Sequence, residues 1–513
     1  MFRLSVVGIC FSLAIHLYLA QFHPRLQLHL NEAEFRHLAA ACDQAVRAAG
    51  MDGATRERIS SAEMARLDQA LDIARLPCKS YARLREHLLD QDVSQHALAA
   101  LHLSATADPA YPDLREGGPT EAELDVRLRT TIETLDLAPL PLKEYLRDPK
   151  FLLGEKLFHD PRLSGYGDRT CATCHNLQNA TSNAGDLEPR LEVAPELVPE
   201  IPARNVPDLW NRDHNDVSAM LWDGRLEVEV AASLGGLSSP EGLDTSGFEN
   251  LMALQSVRPV FSPVEMLGKP GTQNALAPGG LAPLEPEDVL ARLSQLLFTG
   301  EAEMSGENTG YQELFQTSYG LTRAEQISPA HIGNALAHYI EIEFQTRETP
   351  WDMYLTGDLE ALTKEQKRGA LVFFGVGKCS VCHSGNLFSD FGFHSVGVPD
   401  PREHKDLGRY YATGFPKDRF LFRTPPLRNI TLTAPYFHNG QSDSLIDVIT
   451  QHLDPYRYSR EYAETGAHLM EPSEIASISP ILSNKQVVTQ DQVEQLVKFL
   501  RALEDRRAGQ GRN

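Results

Sequence analysis

The sequence predicts a mostly α protein built from two similar halves behind an N-terminal helical extension. Three observations predict it. Apolar residues recur at helical spacing: Phe35, Leu38, Ala39, Cys42 and Val46, then Met64, Leu67, Leu71 and Ala74, and at the far end Val493, Leu496, Val497, Leu500 and Leu503. Gly154 and Phe158 precede a pair of cysteines, and Gly369 and Phe373 precede another, so one pattern occurs twice. The C-terminal half has few stretches in which apolar and polar residues alternate, as half-buried strands require. A chain of 513 residues exceeds one ordinary core, and its 42 % hydrophobic and 23 % charged content is that of globular proteins.

Taken in order, residues 1–25 read as a signal peptide or membrane anchor. Arg3 precedes an apolar run from Leu4 to Ala20, long for a signal core and short for a comfortable span. Cleavage after Ala20 would put Tyr18 where a small residue is expected, so an uncleaved anchor stays open. Either way the body is expected to be exported, to the periplasm. Residues 26–145 form the helical extension, with a linker rich in Pro, Gly and charge from Asp108 to Pro119. It carries no recognisable chemistry, and packing on the core or on a partner is its expected role. The halves run over 146–350 and 351–513, each opening with a short helix that leads to its cysteine pair. Thr489 and Gln492 form a capping box for the last helix, which is expected to pack on the helix beginning near Thr363.

The cysteine pairs carry the chemistry. They read Cys171-Ala172-Thr173-Cys174-His175 and Cys379-Ser380-Val381-Cys382-His383, and Cys-x-x-Cys-His is the attachment signature of c-type haem. Two thiols on one side of a helical turn can add to the porphyrin vinyl groups, and the following His can bind the iron. A closed zinc site needs four ligands, yet the pairs lie about 200 residues apart. A redox dithiol requires no His. Two covalent haems in two cytochrome c-like domains are therefore expected. Setting aside Cys10 and the haem cysteines, only Cys42 and Cys78 remain of seven. An oxidising compartment favours their pairing, and two buried free thiols are the alternative. A formal charge of −22 excludes a nucleic-acid partner, which needs a basic face, and suggests a docking partner with a positive patch.

Electron carriers usually fill both axial positions of a haem, whereas a reactive iron needs one open. From Asn176 to Asp213 there is no His, Met, Cys, Tyr or Lys to cap the first haem. His214 and Met220 come next and read as structural or surface residues. The first haem is thus expected to be five-coordinate and open to peroxide.

Over about residues 145–505 the chain resembles the bacterial dihaem cytochrome c peroxidase and MauG superfamily. The resemblance rests on Leu153-Gly154-Glu155-Lys156-Leu157-Phe158, Asp160-Pro161-Arg162-Leu163-Ser164, Arg204-Asn205-Val206-Pro207, Trp222-Asp223-Gly224-Arg225 and Pro263-Val264-Glu265-Met266. Beyond the second motif it rests on Asp406-Leu407-Gly408-Arg409, Thr424 to Asn429, and Thr433 to Gly440. It implies that Glu265 is the distal glutamate of the peroxidatic haem, moving a proton between the peroxide oxygens. Gln255 and Pro259 keep the family's spacing before it, and Trp222 resembles the tryptophan placed between the haems. A calcium ion held by Asn205 and the carbonyls of Thr433 and Pro435 is also implied.

Two departures from the pattern stand out. Many family peroxidases carry a His between the first motif and the Arg-Asn block that caps the haem until reduction; this chain lacks it, as MauG does. Fourteen residues after the Phe-His-Asn-Gly histidine, where peroxidases place Met and MauG places Tyr, this chain has His452, with Tyr456 and Tyr458 as alternative ligands. An insertion near 226–250 separates Trp222 from Glu265. The resemblance implies a peroxidase reducing hydrogen peroxide with electrons from a small cytochrome or cupredoxin. The alternatives are a MauG-like oxidase that stores peroxide's oxidising equivalents on both haems and modifies a protein, and a dihaem electron carrier.

Overall fold

The computed structural model describes residues 118–182, 204–227, 243–279, 285–299, 310–400, 405–456, 460, 470, 472–483 and 488–508. The expected signal or anchor, Cys42 with Cys78, Tyr458 and most of the insertion lie outside the described residues. Among those described, no helix is long and apolar enough to cross a membrane.

The principal helices are α1 (Glu121–Thr134), α2 (Pro149–Phe158), α3 (Leu251–Phe261), α4 (Pro286–Thr299), α5 (Tyr311–Tyr319), α6 (Pro329–Glu343), α7 (Pro350–Leu355), α8 (Lys364–Phe374), α9 (Leu445–Leu453) and α10 (Gln490–Arg501). Strand content among the described residues is two short antiparallel pairs. β1 (Ala219–Met220) pairs with β2 (Leu226–Glu227), and β3 (Phe393–His394) pairs with β4 (Phe422–Arg423). The helices start where the sequence caps them. Asp148 accepts the Phe151 N–H at 2.8 Å ahead of Pro149, and Thr489 with Gln492 forms the expected capping box.

The repeated pattern is a repeated helix crossing. α2 packs on α6, and α8 packs on α10. Each crossing is closed by the glycine four residues before the phenylalanine. A Cβ on Gly154 would overlap the Ala335 carbonyl and lie 2.7 Å from Tyr339 Cβ; on Gly369 it would overlap the Gln495 carbonyl and lie 2.8 Å from Phe499 Cβ. Only glycine lets the backbones meet this closely. The buried face of α10 is Val493, Leu496, Phe499 and Leu500, with Val497 at its edge.

Two apolar clusters follow. One gathers Phe151, Leu157 and Phe158 with Val257, Leu293, Phe315, Leu336 and Phe344. The other gathers Trp351, Phe373, Phe374, Phe388, Phe499 and Leu503. The end of the N-terminal extension belongs to this second cluster, because α1 buries Leu124 and Leu128 in it. A charged contact fixes α1 on α8: Lys367, 1 % exposed, pairs with Asp125 at 2.8 Å, and the Tyr354 hydroxyl donates to the same carboxylate at 2.8 Å.

Candidate haem sites and the segment between them

Both Cys-x-x-Cys-His motifs are single turns built alike. Cys171–Cys174 is one helical turn whose Cys171 carbonyl accepts the His175 N–H at 2.9 Å; the Cys379 carbonyl accepts the His383 N–H, also at 2.9 Å. Each imidazole donates its Nδ1–H to a backbone carbonyl, His175 to Thr181 at 3.1 Å and His383 to Phe388 at 3.0 Å. This fixes the tautomer and leaves Nε2 as the free metal-binding nitrogen. Both acceptor residues sit in the left-handed region, Thr181 at φ 65° and Phe388 at φ 57°. That conformation is costly for side chains of this kind and marks a backbone held for a purpose. Thr181 is held by its hydroxyl, which accepts the Leu209 N–H at 2.8 Å. Burial lowers the affinity of both imidazoles for a proton, and for His383 burial and the neighbouring His452 bring the pKa to about 4. Burial pushes the Cys171 and Cys379 thiols up to about 12.

The second motif opens onto a cavity of about 230 Å³ lined by Cys379, Cys382, His383 and His452 among apolar side chains including Val396, Leu445, Ile449 and Leu496. His452 lies on α9, its Nδ1–H bonded to the Val448 carbonyl at 2.8 Å and its ring parallel to Phe437 at 6.2 Å. Its Nε2 is therefore free, as in the proximal histidines. Two thiols and two neutral imidazoles in an apolar cavity are the donor set of a six-coordinate c-type haem, so the residues fit that group. Among the described residues, Cys382, Asp390 and His394 form a cluster able to hold a metal. Because Cys382 is also a thiol of the second Cys-x-x-Cys-His motif, this cluster belongs to the same site.

Glu265 follows α3 in a turn tied to the first half by Gly165 N–H, which donates to the Met266 carbonyl at 2.9 Å. It is exposed, and its charge acts on Cys174 of the first motif. Burial first, and then the Glu265 carboxylate, push the Cys174 thiol upward, against the opposing charge of Arg169. Gln255, one turn before Pro259 on α3, accepts from Arg258 Nη1 at 2.9 Å.

Trp222, Asn205 and Thr433 lie around the second cavity. Trp222 lines the second cavity, donates its indole N–H to the Asn205 carbonyl at 2.8 Å, and meets the His438 ring edge-on at 6.5 Å. Asp223 beside it is fully buried and bound by Arg204 at 2.7 Å and Arg225 at 2.6 Å, and Arg204 continues to Asp406 at 2.6 Å. Burial alone would raise the Asp223 carboxyl; hydrogen bonds and charge from Arg225 and Arg204 prevail and hold it at about 2. Gly224, at φ +65°, must be glycine because a Cβ would overlap the Phe393 ring. The Asn205 amide reaches the carbonyls of Pro435 at 2.5 Å and Phe437 at 3.3 Å, while its buried Oδ1 has no partner. Thr433, the third expected calcium ligand, lines the same cavity.

Sequence reasoning missed Arg423 and His394. Arg423 is buried in the cavity wall, and burial lowers its guanidinium to about 9. His394 bonds to Asp390 at 3.2 Å and to Ser479 at 3.3 Å. Neither carries a local signal, since each reaches the site through a two-residue strand of the pair β3 and β4.

A family model described as di-haem cytochrome c peroxidase matches residues 148–360, and one described as a His-Xaa-Ser system protein matches residues 30–114. The methylamine utilization protein MauG of Methylorubrum extorquens is 28% identical over 378 residues, covering 73% of this chain and 84% of that protein. The cytochrome c551 peroxidase of Pseudomonas aeruginosa is 30% identical over 322 residues, covering 62% of this chain and 74% of that protein. Among solved structures, the diheme peroxidase BthA from Burkholderia thailandensis aligns at 21% identity with a TM-score of 0.49, covering 71% of this chain and 88% of that one.

Proposed function

This chain belongs to the di-haem cytochrome c peroxidase family, an oxidoreductase family carrying two c-type haems and acting on hydrogen peroxide, and from that premise we propose how its own residues divide the work. Cys171, Cys174 and His175 would hold the haem at which peroxide is reduced; Cys379, Cys382, His383 and His452 would hold the one that relays electrons. Bound there, the haems would supply the redox chemistry that reduces the O–O bond. The two halves, 146–350 and 351–513, are the two cytochrome c domains, with α1 as an added layer on the second.

Glu265 carries this reading, because it is the carboxylate whose charge acts on the Cys174 thiol of the first motif. It takes a proton from one peroxide oxygen and returns it to the other, so that water leaves rather than hydroxide. Gln255, held by Arg258 on α3, is a second polar group on the helix that leads to it. Between the sites, Trp222 is fixed by its bond to Asn205 and by the Arg204–Asp223–Arg225 cluster. An oxidisable indole held in one orientation suits electron transfer between the halves. His452, which offers Nε2 to the second cavity, would serve as a further ligand there and exclude peroxide, and imidazole would favour higher oxidation states than a thioether. The Arg423 cation in the cavity wall suits a haem carboxylate. The unpartnered Asn205 oxygen, with the Pro435 and Thr433 carbonyls, suits Ca²⁺, whose ligands are oxygens. The electron donor is a small cytochrome or cupredoxin met in the periplasm, where residues 1–25 direct the chain.

The test is haem-specific. The purified protein carries two haems that resist acid–acetone extraction; Ser at both Cys171 and Cys174 leaves one and abolishes the reaction with peroxide. Peroxide reduction that survives this loss refutes the assignment. A second reading, a MauG-like oxidase acting on a protein, is favoured by His452 in place of a methionine. It predicts that the diferric protein reacts with stoichiometric peroxide without prior reduction and holds the oxidising equivalents until a protein substrate is added. Prompt decay on adding a reduced cytochrome alone, with no protein modified, supports the peroxidase.

A further inference from the structure

A file of aromatic rings leads away from the first haem site, and peroxide reduction as described makes no use of it. The Thr181 carbonyl holds His175, and the carbonyl of the preceding residue, Ala180, accepts the Trp210 indole N–H at 3.1 Å. From Trp210 the ring centroids step to Phe344 at 5.9 Å, Tyr339 at 5.7 Å, Phe151 at 5.3 Å and Tyr145 at 5.8 Å. All the inner rings are buried, whereas Tyr145 is 37 % exposed. Tryptophan and tyrosine are the side chains that lose one electron most readily. They occupy the start, the middle and the surface end of this file, with phenylalanines as the intervening contacts.

The surface end has a proton acceptor in place. The Tyr145 hydroxyl donates to Glu343 Oε2 at 2.9 Å, so a departing electron can be matched by transfer of the phenolic proton. At the inner end, Arg507 lies over Trp210 at 5.6 Å, and its charge is offset by Asp505 at 3.3 Å. Tyr145 also precedes residue 148, where the match to the peroxidase family model begins. It is therefore a feature of this chain outside that match.

We propose that Trp210, Tyr339 and Tyr145 form a one-electron path between the first haem site and the surface, with Tyr145 as a site of tyrosyl radical formation when the external donor runs out. The proposal rests on the peroxidase reading. Reducing one hydrogen peroxide to two waters takes two electrons and two protons. A molecule holds one Tyr145, so the radical first formed takes a hydrogen atom from the Tyr145 of a second molecule and is then oxidised again; each tyrosine thus gives one electron along the path, and both phenolic protons leave through Glu343 of the reacting molecule. Radicals on two molecules then couple through a ring carbon–carbon bond. Overall, two tyrosines and one hydrogen peroxide yield one dityrosine and two waters. A phenolic reductant in solution would instead return an electron and a proton to Tyr145 and spare it.

The experiment treats the holoprotein with peroxide in the absence of donor, then measures the covalent dimer on a denaturing gel and maps dityrosine by peptide mass. Wild type is expected to form the dimer through Tyr145, and a soluble phenol to suppress it. Tyr145→Phe should lose the cross-link while keeping donor-driven peroxide consumption. Trp210→Phe and Glu343→Gln, which alter the path at either end and retain size, should each reduce it. Wild-type protein that consumes peroxide with Tyr145 unmodified overturns the path, as does an undiminished cross-link in Tyr145→Phe. Absence of peroxide consumption with donor present overturns instead the peroxidase reading beneath it.

Discussion

Replacing Asp125 with Ala tests whether the extension is part of the second haem domain. Lys367 is 1 % exposed and pairs with Asp125 at 2.8 Å; Tyr354 loses its acceptor in the same change. Removing one member of a buried pair leaves an uncompensated charge in the interior, a loss of about 3–5 kcal/mol. At roughly 2–4 °C per kcal/mol for a domain of this size, the melting temperature should fall by roughly 6–20 °C. The assay is thermal and urea unfolding of the holoprotein, followed by far-ultraviolet circular dichroism and by the absorbance of the second haem. Replacing both partners, Asp125→Ala with Lys367→Met, removes the stranded charge and should recover most of the loss, because apolar replacement of a buried pair is often neutral. A single variant within about 0.5 kcal/mol of wild type, the range of an ordinary surface change, would refute the reasoning. So would a double variant no more stable than the single one.

Three further outcomes are expected. Glu265→Gln keeps the shape and removes the proton carrier, so stopped-flow reaction with peroxide should slow by about 10²–10⁴-fold; an unchanged rate makes Glu265 structural. His452→Ala should abolish the low-spin ferric signal of the second haem, and His452→Met should raise that haem's potential in a redox titration; a low-spin signal that survives the alanine change assigns the ligand elsewhere. The Asp223 carboxyl titrates at about 2 in the folded chain, against about 3.9 when unfolded. A depressed folded value contributes stability above the unfolded pKa that is lost as pH falls through the folded one. The pair should therefore provide about 2–3 kcal/mol at neutral pH, declining below about pH 4. Asp223→Asn should flatten that slope in pH-dependent unfolding, and an unaltered slope contradicts it.

Much of the architecture was legible because it is local. Helix caps such as Thr489 with Gln492, the stripe on α10 and the Cys-x-x-Cys-His turns are set by residues within a few positions of each other, where hydrogen-bond geometry and the helical period decide the outcome. The repeated glycine was legible as a pattern, but its cause was not. Only the crossings of α2 with α6 and of α8 with α10 show that Gly154 and Gly369 each face a backbone carbonyl from a distant helix. His452 could be reached by counting from His438, since α9 follows it closely in sequence.

Tertiary structure alone decided the rest. Arg423 and His394 stand in the second site because β3 and β4 pair across a long loop, and such non-local pairing leaves no periodic trace. The carbonyls of Thr181 and Phe388 carry no side-chain signal, yet they set the tautomers of His175 and His383. Lys367 reads as one charge on an amphipathic helix until α1 covers it and supplies Asp125. The sequence by itself determined which groups are the candidates to bind haem, because covalent attachment and ligation need particular side chains at fixed spacing. The fold decided which carboxylate, indole and cation face them, because burial and charge depend on neighbours the chain meets only after folding.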